Sequence, residues 1–241
     1  MDLSIVVTSY NYEKYLKSSI ESCLDQETSY LYEIIIIDDG STDSSKTILK
    51  NYSSTCKIIM LQNSGVEVAA NLGVRKSIAP YFVRLDADDC FNKNFIEESM
   101  KCIVSQGVDF VYPNYSSIDQ DNRNLNNSNL PEFCIKEIGE RGDFLATGTI
   151  FNKKSFIEVG GYREEVKNCG LENYEVILKM LQTGKVGKLI KDNLFQYRIH
   201  SNNMSSTRRD SIISYGNEIA QRLKLKKYKT NKNHPYGLQL S

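Results

Sequence analysis

Three carboxylates directly follow a short apolar strand in the stretch Phe82-Val83-Arg84-Leu85-Asp86-Ala87-Asp88-Asp89-Cys90. Side chains alternate between the two faces of a strand, so Asp86 and Asp88 are expected to point the same way. Neighbouring carboxylates repel each other unless a cation or a proton lies between them. A hard divalent metal with oxygen ligands satisfies that requirement, and a solvated acidic turn that caps the next helix explains the same residues. This stretch alone leaves both interpretations open.

The stretch ends the fourth strand of a regular alternation of strands and helices. Apolar or β-branched runs predict strands at residues 3–8, 33–37, 57–61 and 81–85, with helices at 13–26, around 48–49 and at 66–77. Such an alternation predicts a parallel sheet with right-handed crossovers. Ligands of these sheets bind beyond the carboxyl ends of the strands. Three of those ends carry Thr8-Ser9-Tyr10-Asn11, Asp38-Asp39-Gly40-Ser41 and Asp86-Ala87-Asp88-Asp89, which are therefore expected to meet at one edge.

Composition excludes several classes of protein. The 241 residues carry 30 basic and 30 acidic side chains, so no global charge favours a nucleic-acid partner. The longest apolar runs, such as residues 34–37, are far too short for a membrane span, and the N-terminus lacks the basic region of a signal peptide. Six cysteines without a Cys-x-x-Cys pair argue against a zinc site and a disulfide framework, which predicts a reducing, cytoplasmic location.

The second half of the chain is less regular. Helices are predicted at residues 94–104 and 171–183 and from residue 208 onward, and strands at 109–112, 145–152 and 194–198. Residues 116–130 are rich in Asn, Asp and Ser and predict a mobile loop. Without a repeat or a clear linker, a single domain over residues 1–241 is the simplest organisation.

Several motifs in this order resemble the family 2 glycosyltransferases of the GT-A fold. They are Ser4-Ile5-Val6-Val7-Thr8-Ser9-Tyr10-Asn11, Ile36-Ile37-Asp38-Asp39-Gly40-Ser41-Thr42-Asp43, Asn63-Ser64-Gly65-Val66, Ala70-Asn71-Leu72-Gly73, Leu85-Asp86-Ala87-Asp88-Asp89 and Val159-Gly160-Gly161-Tyr162. The resemblance implies an α/β GT-A fold with a mainly parallel sheet and a smaller mixed sheet on the acceptor side. It also implies a nucleotide-sugar half at residues 1–90, an acceptor half at 91–205, and a C-terminal helix with a basic tail at 206–241.

The resemblance assigns the donor pocket to residues that follow the strands. Thr8 and Tyr10 are expected to line the base pocket beside Asn11, with Tyr10 able to stack on the base. Asp39 matches the position that accepts a hydrogen bond from the base, where a carboxylate suits the imide N–H of uracil. Asn71 is expected either at the pocket rim or ribose, or simply as a polar residue of its helix.

The acidic triplet matches the metal motif of the family. Asp86 is expected on the ribose side, and either Asp88 or Asp89 would hold a Mn²⁺ or Mg²⁺ that bridges the donor phosphates. His200, in a late segment that resembles the family's closing loop, would bind the metal or a phosphate oxygen, or would be structural.

The resemblance also implies an inverting reaction with a base at the start of a helix in the acceptor half. Glu172 matches the first residue of the family's acidic pair, but Asn173 stands where the family usually has Asp. Asparagine is too weakly basic to accept the proton, so the base is expected to be Glu172, with Glu175 as the alternative. An acid near a helix N-terminus is also explained by the helix dipole alone.

The expected activity is metal-dependent transfer of a UDP-linked sugar to a hydroxyl of a glycan or lipid-linked acceptor, in cell-surface polysaccharide synthesis. A nucleotidyltransferase is an alternative, although the loop after the first strand lacks the glycines that such enzymes use. A sugar-nucleotide-binding protein without catalysis is a third possibility, supported by Asn173. Lysines at positions 224, 226, 227 and 229 suggest either peripheral membrane association or a solvated charged run.

Overall fold

The computed structural model describes residues 1–142, 148–230 and 234. Along the chain, the described residues form β1 (Leu3–Ser9), α1 (Leu16–Leu24), β2 (Tyr32–Asp38), α2 (Ser45–Lys50), β3 (Lys57–Met60), α3 (Val66–Lys76), β4 (Tyr81–Asp86), β5 (Cys90–Phe91), α4 (Phe95–Gln106), β6 (Phe110–Ile118), β7 (Asn124–Asn127), α5 (Ile135–Arg141), β8 (Ile150–Asn152), α6 (Lys153–Glu158), α7 (Glu172–Gln182), β9 (Gly187–Arg198), α8 (Met204–Thr207) and α9 (Arg209–Arg222). The alternation predicted for the first half of the chain is confirmed.

The strands of both halves belong to one sheet with the order β3-β2-β1-β4-β8-β6-β9-β5, and β7 pairs with β6. The first four strands of this order run parallel, whereas β8 is antiparallel to β4 and begins a mixed region. The mixed strands of the second half therefore extend the parallel sheet and do not form the separate smaller sheet that was expected. Every residue of β1 is buried, as expected for a parallel strand covered by helices on both faces.

Helix α3 lies very close to the centre of the sheet. A side chain at Gly73 would place its Cβ 2.2 Å from Cγ1 of Val6, so only glycine permits this approach. The close packing fixes the N-terminus of α3 near the carboxyl ends of β1 and β2. This end of the helix contributes to the cavity described below.

Strand register brings the polar strand ends together. Ser9 pairs with Asp38 across β1 and β2, and Thr8 pairs with Asp86 across β1 and β4. The expected meeting of these residues at one edge of the sheet is thus confirmed.

Three predictions for the second half need correction. The segment 116–130 is not simply a loop, because β6 extends to Ile118 and β7 adds an antiparallel strand. The late strand β9 begins at Gly187, and β5 and α5 carried no clear sequence pattern. Polar strands such as β7 are held by pairing with β6, which local hydrophobic patterning does not reveal. Of the predicted strand at 145–152, Ile150–Asn152 is confirmed, and residues 145–147 lie outside the described residues.

Candidate functional site

A cavity of about 790 Å³ opens at the carboxyl ends of β1, β2 and β4 and is closed on the other side by the start of α7 and the segment after β9. Nine of the ten residues that sequence analysis singled out line it: Thr8, Tyr10, Asn11, Asp39, Asp86, Asp88, Asp89, Glu172 and His200. Both halves of the chain contribute to one site.

Asn71 is the exception and does not line the cavity. Its Nδ2 donates to the Tyr162 carbonyl at 2.7 Å and to Glu164 at 2.9 Å, and its Oδ1 accepts the Tyr162 N–H at 3.2 Å. With its amide committed in this way, Asn71 ties α3 to the segment before α7. The structure therefore gives it a bracing position and not one at the ribose.

The end of the cavity beside the loops after β1 and β2 is held by hydrogen bonds from backbone N–H groups to side-chain oxygens. Asp39 accepts the N–H groups of Ser64 and Gly65 at 2.7 and 2.8 Å, which fixes the turn that opens α3. Asn11 has a left-handed φ of 58°, and its Oδ1 accepts the Thr42 N–H at 2.8 Å. These contacts hold the loops after β1 and β2 together, while the Tyr10 side chain stays exposed at the cavity.

Asp86 belongs to a charged network that crosses the cavity floor. Thr8 donates to one of its oxygens at 2.9 Å, and the Arg84 guanidinium lies 3.4 Å away. Nη2 of Arg84 also donates to Glu172 at 2.8 Å, so one buried arginine links an acid from the first half of the chain to an acid from the second half. Burial raises the pKa of Asp86 to about 6, although the charge of Arg84 opposes the rise.

Asp88 and His200 form a buried pair in the cavity wall. Oδ2 of Asp88 lies 2.9 Å from Nε2 of His200. The backbone N–H of Asn202 points at Nδ1 of the same ring, 3.2 Å away. A peptide N–H only donates, so Nδ1 accepts, and the proton of the neutral ring lies on Nε2 and is donated to Asp88.

The His200 ring is held in place by aromatic packing. Tyr15 stacks on it with ring centroids 5.0 Å apart, and Tyr12 meets it edge-on at 6.1 Å. The Arg198 guanidinium also lies over the Tyr15 ring, 4.8 Å from its centroid. An imidazole packed in this manner has little freedom to rotate, so Nε2 stays directed at Asp88.

Asp89 has a different role from its neighbour. Its Oδ1 accepts the backbone N–H of Arg198 at 2.8 Å, and its own N–H closes a turn onto the Asp86 carbonyl. Nε of Arg198 donates to the Asp88 carbonyl at 2.7 Å. Hydrogen bonds therefore join the turn at residues 86–89 to strand β9. They direct Asp88 toward His200, while the Asp89 carboxylate is bound to the backbone of β9.

The two candidate bases, Glu172 and Glu175, both lie in the first turn of α7 but have different surroundings. Glu172 lines the cavity, whereas Glu175 does not and is held by Lys179, Tyr215 and Arg222 at 2.6 to 3.1 Å. Glu175 therefore fastens α9 to α7 and does not face the cavity. Asn173 lines the cavity and accepts a hydrogen bond from the Tyr162 hydroxyl at 3.0 Å.

The Glu175 cluster predicts a stability that depends on pH. Burial raises the pKa of Glu175, but hydrogen bonds from Arg222, Lys179 and Tyr215 outweigh this and lower it to about 2. Because the folded pKa is depressed, the stabilisation is complete above the unfolded pKa and is lost as pH falls toward 2. We expect Glu175→Gln to lower the free energy of unfolding by about 2 kcal/mol at pH 7, with a smaller difference from wild type at pH 4. Urea denaturation at both pH values measures this, and an equal difference at both would contradict it.

A second acidic cluster lies behind the cavity wall. Among the residues that the structure describes, Glu67, Cys169 and Glu172 bring one potential ligand atom each within 4.8 Å of one another. Both oxygens of Glu67 already accept backbone N–H groups, and Glu172 is paired with Arg84. The trio is therefore satisfied by the protein itself and does not fit a metal site.

Arg84 and Glu67 were not assigned a role from the sequence. A charged residue inside the apolar run of β4 is a signal for Arg84, because buried charges are almost always paired. Glu67 gives no such signal, since an acid in the first turn of a helix is common. Arg198 and Tyr15 were also not assigned a role from the sequence, because their partners lie far away along the chain.

Comparison with known proteins decides the family. Residues 4–163 match the sequence profile of glycosyl transferase family 2, which covers well over half of the chain. The chain belongs to this family. It is therefore a glycosyltransferase, as predicted, and the nucleotidyltransferase alternative is wrong.

Curated relatives of this family 2 glycosyltransferase come from several bacteria. The putative teichuronic acid biosynthesis glycosyltransferase TuaG of Bacillus subtilis is 25% identical over 211 residues, which cover 86% of this chain and 82% of TuaG. Glycosyltransferase GlyG of Streptococcus pneumoniae is 28% identical over 249 residues, covering 91% of this chain and 77% of GlyG. Chondroitin synthase of Escherichia coli is 27% identical over 239 residues, with 94% of this chain and 34% of that protein covered.

A solved structure confirms the predicted GT-A architecture. S. aureus TarS 1-349 in complex with UDP-GlcNAc matches with a TM-score of 0.75 at 19% identity, over 92% of this chain and 66% of that one. The same TarS fragment with UDP matches with a TM-score of 0.66 at 15% identity, over all of this chain and 76% of the other. Within the described part of the chain, no helix is both long enough and apolar enough to cross a membrane.

Proposed function

We propose that this glycosyltransferase moves a sugar from a UDP-linked donor to a hydroxyl acceptor with the help of a bound divalent cation. One observation carries the proposal: a single cavity contains both the Asp88–His200 pair and the Glu172 carboxylate held by Arg84. The first pair suits a cation at the donor diphosphate, and Glu172 suits a proton acceptor. The known structures of the same fold that contain UDP-GlcNAc and UDP support the choice of donor.

The charge of the cavity supports the need for a cation. Its acidic lining residues are Glu13, Asp39, Asp43, Asp86, Asp88, Asp89 and Glu172, and its lysines and arginines are Lys14, Arg84 and Arg208. A diphosphate would be repelled by this excess of negative charge without a counter-ion. Asp88 Oδ2 offers an oxygen that suits Mn²⁺ or Mg²⁺, with Asp89 held back by Arg198. Nε2 of His200 would add a nitrogen ligand only once the ring gives up the proton that it donates to Asp88. When bound, the cation would stabilise the charge that develops on the departing diphosphate.

We expect the nucleotide of the donor to bind at the end of the cavity beside the loops after β1 and β2. Asp39, fixed by two backbone N–H groups, keeps acceptor capacity for the imide N–H of uracil, and Tyr10 is placed to stack on the base. Asp86, held by Thr8 and Arg84, would accept from the ribose hydroxyls.

The transfer step follows from Glu172. Its carboxylate takes the proton of the acceptor hydroxyl, and the acceptor oxygen forms a bond to the anomeric carbon of the donor sugar. The bond from that carbon to the β-phosphate oxygen breaks, and its electron pair leaves with UDP. Attack from the face opposite the leaving group inverts the anomeric configuration.

The relatives support an acceptor of the polysaccharide class. TuaG is named for teichuronic acid biosynthesis, and another relative is a chondroitin synthase. We propose a glycan or lipid-linked acceptor in cell-surface polysaccharide synthesis, at the cytoplasmic side of the membrane. The exposed lysines of residues 224–229 would favour a peripheral contact with anionic lipid there.

Turnover of UDP-sugars tests the function. We expect the purified protein to release UDP from one of UDP-glucose, UDP-galactose, UDP-N-acetylglucosamine or UDP-glucuronic acid when Mn²⁺ is present. EDTA is expected to abolish the release, and Mg²⁺ or Mn²⁺ to restore it. Binding of UDP without turnover of any donor, with glycan acceptors or with water, would support the sugar-nucleotide-binding protein instead. Turnover at the same rate in EDTA would contradict the role of the cation.

A further inference from the structure

Glu67 joins the start of α3 to the turn that precedes α7. Its Oε2 accepts the Asn168 N–H at 2.8 Å, and its Oε1 accepts the Cys169 N–H at 2.7 Å. A third hydrogen bond joins the same two segments, since Oδ1 of Asn168 accepts the Val66 N–H at 3.0 Å. Glu67 is 1% exposed and does not line the cavity. Three hydrogen bonds between segments about 100 residues apart thus hold this turn.

The turn needs such support because of its backbone. Asn168 and Gly170 both have positive φ angles, 53° and 70°. A left-handed conformation costs a non-glycine residue free energy, although less for asparagine than for most, and the hydrogen bonds with Glu67 and Val66 offset that cost at Asn168. The turn leads directly into Glu172, the first residue of α7, and its geometry therefore sets where that carboxylate points.

Glu172 lies between opposite charges. Arg84 donates to its Oε1 at 2.8 Å, and the Cys169 thiol lies 3.8 Å from its Oε2. Glu67 offers a carboxylate oxygen within 4.8 Å of one on Glu172. Asp86, bound to the same arginine, adds a second negative charge on the β4 side. The attraction of Arg84 and the repulsion of these two carboxylates therefore act on Glu172 in opposite directions.

We propose that Glu67 is a positioning residue for glycosyl transfer, which both aims Glu172 into the cavity and offsets the charge of Arg84 on it. The proposal rests on the proposed function and adds a residue that does not touch the substrate. Burial, and then the charge of Glu172, raise the pKa of Glu67, which is the response expected of two buried carboxylates that repel each other. The same repulsion acts on Glu172, in the direction opposite to the attraction of Arg84.

Removing the charge of Glu67 tests the electrostatic part. The assay is UDP release from the UDP-sugar that wild type turns over, with Mn²⁺ and water as acceptor, followed across pH. The acidic limb of kcat/KM reports the ionisation of the base in the free enzyme. In Glu67→Gln, only Asp86 still opposes the action of Arg84 on Glu172, so we expect this limb to move to lower pH by about one unit. A purely structural residue would lower kcat at every pH without moving the limb.

Changing the reach of Glu67 while keeping its charge tests the positioning part. Glu67→Asp retains the carboxylate but is one methylene shorter, so we expect kcat to fall about tenfold with KM for the donor and the acidic limb unchanged. Glu158→Gln, an exposed glutamate paired with Lys185, is the control and should match wild type.

The outcomes separate this proposal from the function on which it rests. If Glu67→Gln keeps the wild-type limb, or if Glu67→Asp keeps the wild-type kcat, the role of Glu67 is wrong while the function stands. If Glu67→Gln does not fold, the aspartate variant decides alone. A wild type that turns over no UDP-sugar contradicts the proposed function, and the role of Glu67 falls with it.

Discussion

Replacing Asp88 by asparagine is expected to weaken Mn²⁺-dependent binding of UDP at least tenfold, or about 1.4 kcal/mol. Asparagine keeps the shape of the side chain and can still accept the Nε2 proton of His200. It removes the negative charge that would hold the cation beside that ring. Titration calorimetry with UDP, in Mn²⁺ and then in EDTA, measures the effect, and the two proteins should bind equally weakly in EDTA.

The adjacent residue provides a matched control. Asp89 accepts the backbone N–H of Arg198, so Asp89→Asn is expected to lower thermal stability while the protein keeps its Mn²⁺-dependent affinity for UDP. Equal loss of affinity in both variants would mean that both acids hold the cation. Unchanged affinity in Asp88→Asn would remove Asp88 from the site.

Replacing Glu172 by glutamine is expected to lower kcat about 100-fold or more, the usual range for loss of a general base. Glutamine can still accept the Arg84 N–H through its oxygen, so the network on the cavity floor is preserved. Because the donor pocket is untouched, KM for the UDP-sugar should change by less than about threefold. Initial rates of UDP release, with wild type in parallel, measure both constants.

Glu175→Gln is the control on the same helical turn. Glu175 faces α9 and lies outside the cavity lining, so its variant should lose stability but retain kcat at a temperature where it is folded. A Glu172→Gln enzyme with wild-type kcat would exclude Glu172 as the base. Loss of kcat in both variants would show that the geometry of α7, and not one carboxylate, limits the rate.

The donor half of the site could be predicted because its signals are local. Each strand of the parallel sheet is an apolar run, and the residues that end it are known as soon as the run is recognised. Parallel register then brings Thr8, Asp38 and Asp86 to one edge without further information. Asn71, the candidate that does not line the cavity, lies on a helix, where only the distant Tyr162 and Glu164 determine which way its amide points.

The sequence left the choice between Asp88 and Asp89 open, and it favoured Glu172 over Glu175 only through the match to the family motif. Asp88 and Asp89 differ only through a turn closed on Asp86 and a hydrogen bond from Arg198, 109 residues later. Glu172 and Glu175 share one helical turn, and their roles are separated by Tyr215 and Arg222 on α9. Such contacts between residues far apart in the chain exist only after folding.

The position of the cation tests the account most directly. Crystals of the protein with UDP and Mn²⁺, measured at a wavelength where manganese scatters anomalously, locate the ion without reference to the protein. We predict one anomalous peak in the cavity, in contact with Asp88, His200 and the diphosphate of UDP. A peak at Glu67, Cys169 and Glu172, or UDP bound without any peak beside Asp88, would contradict it.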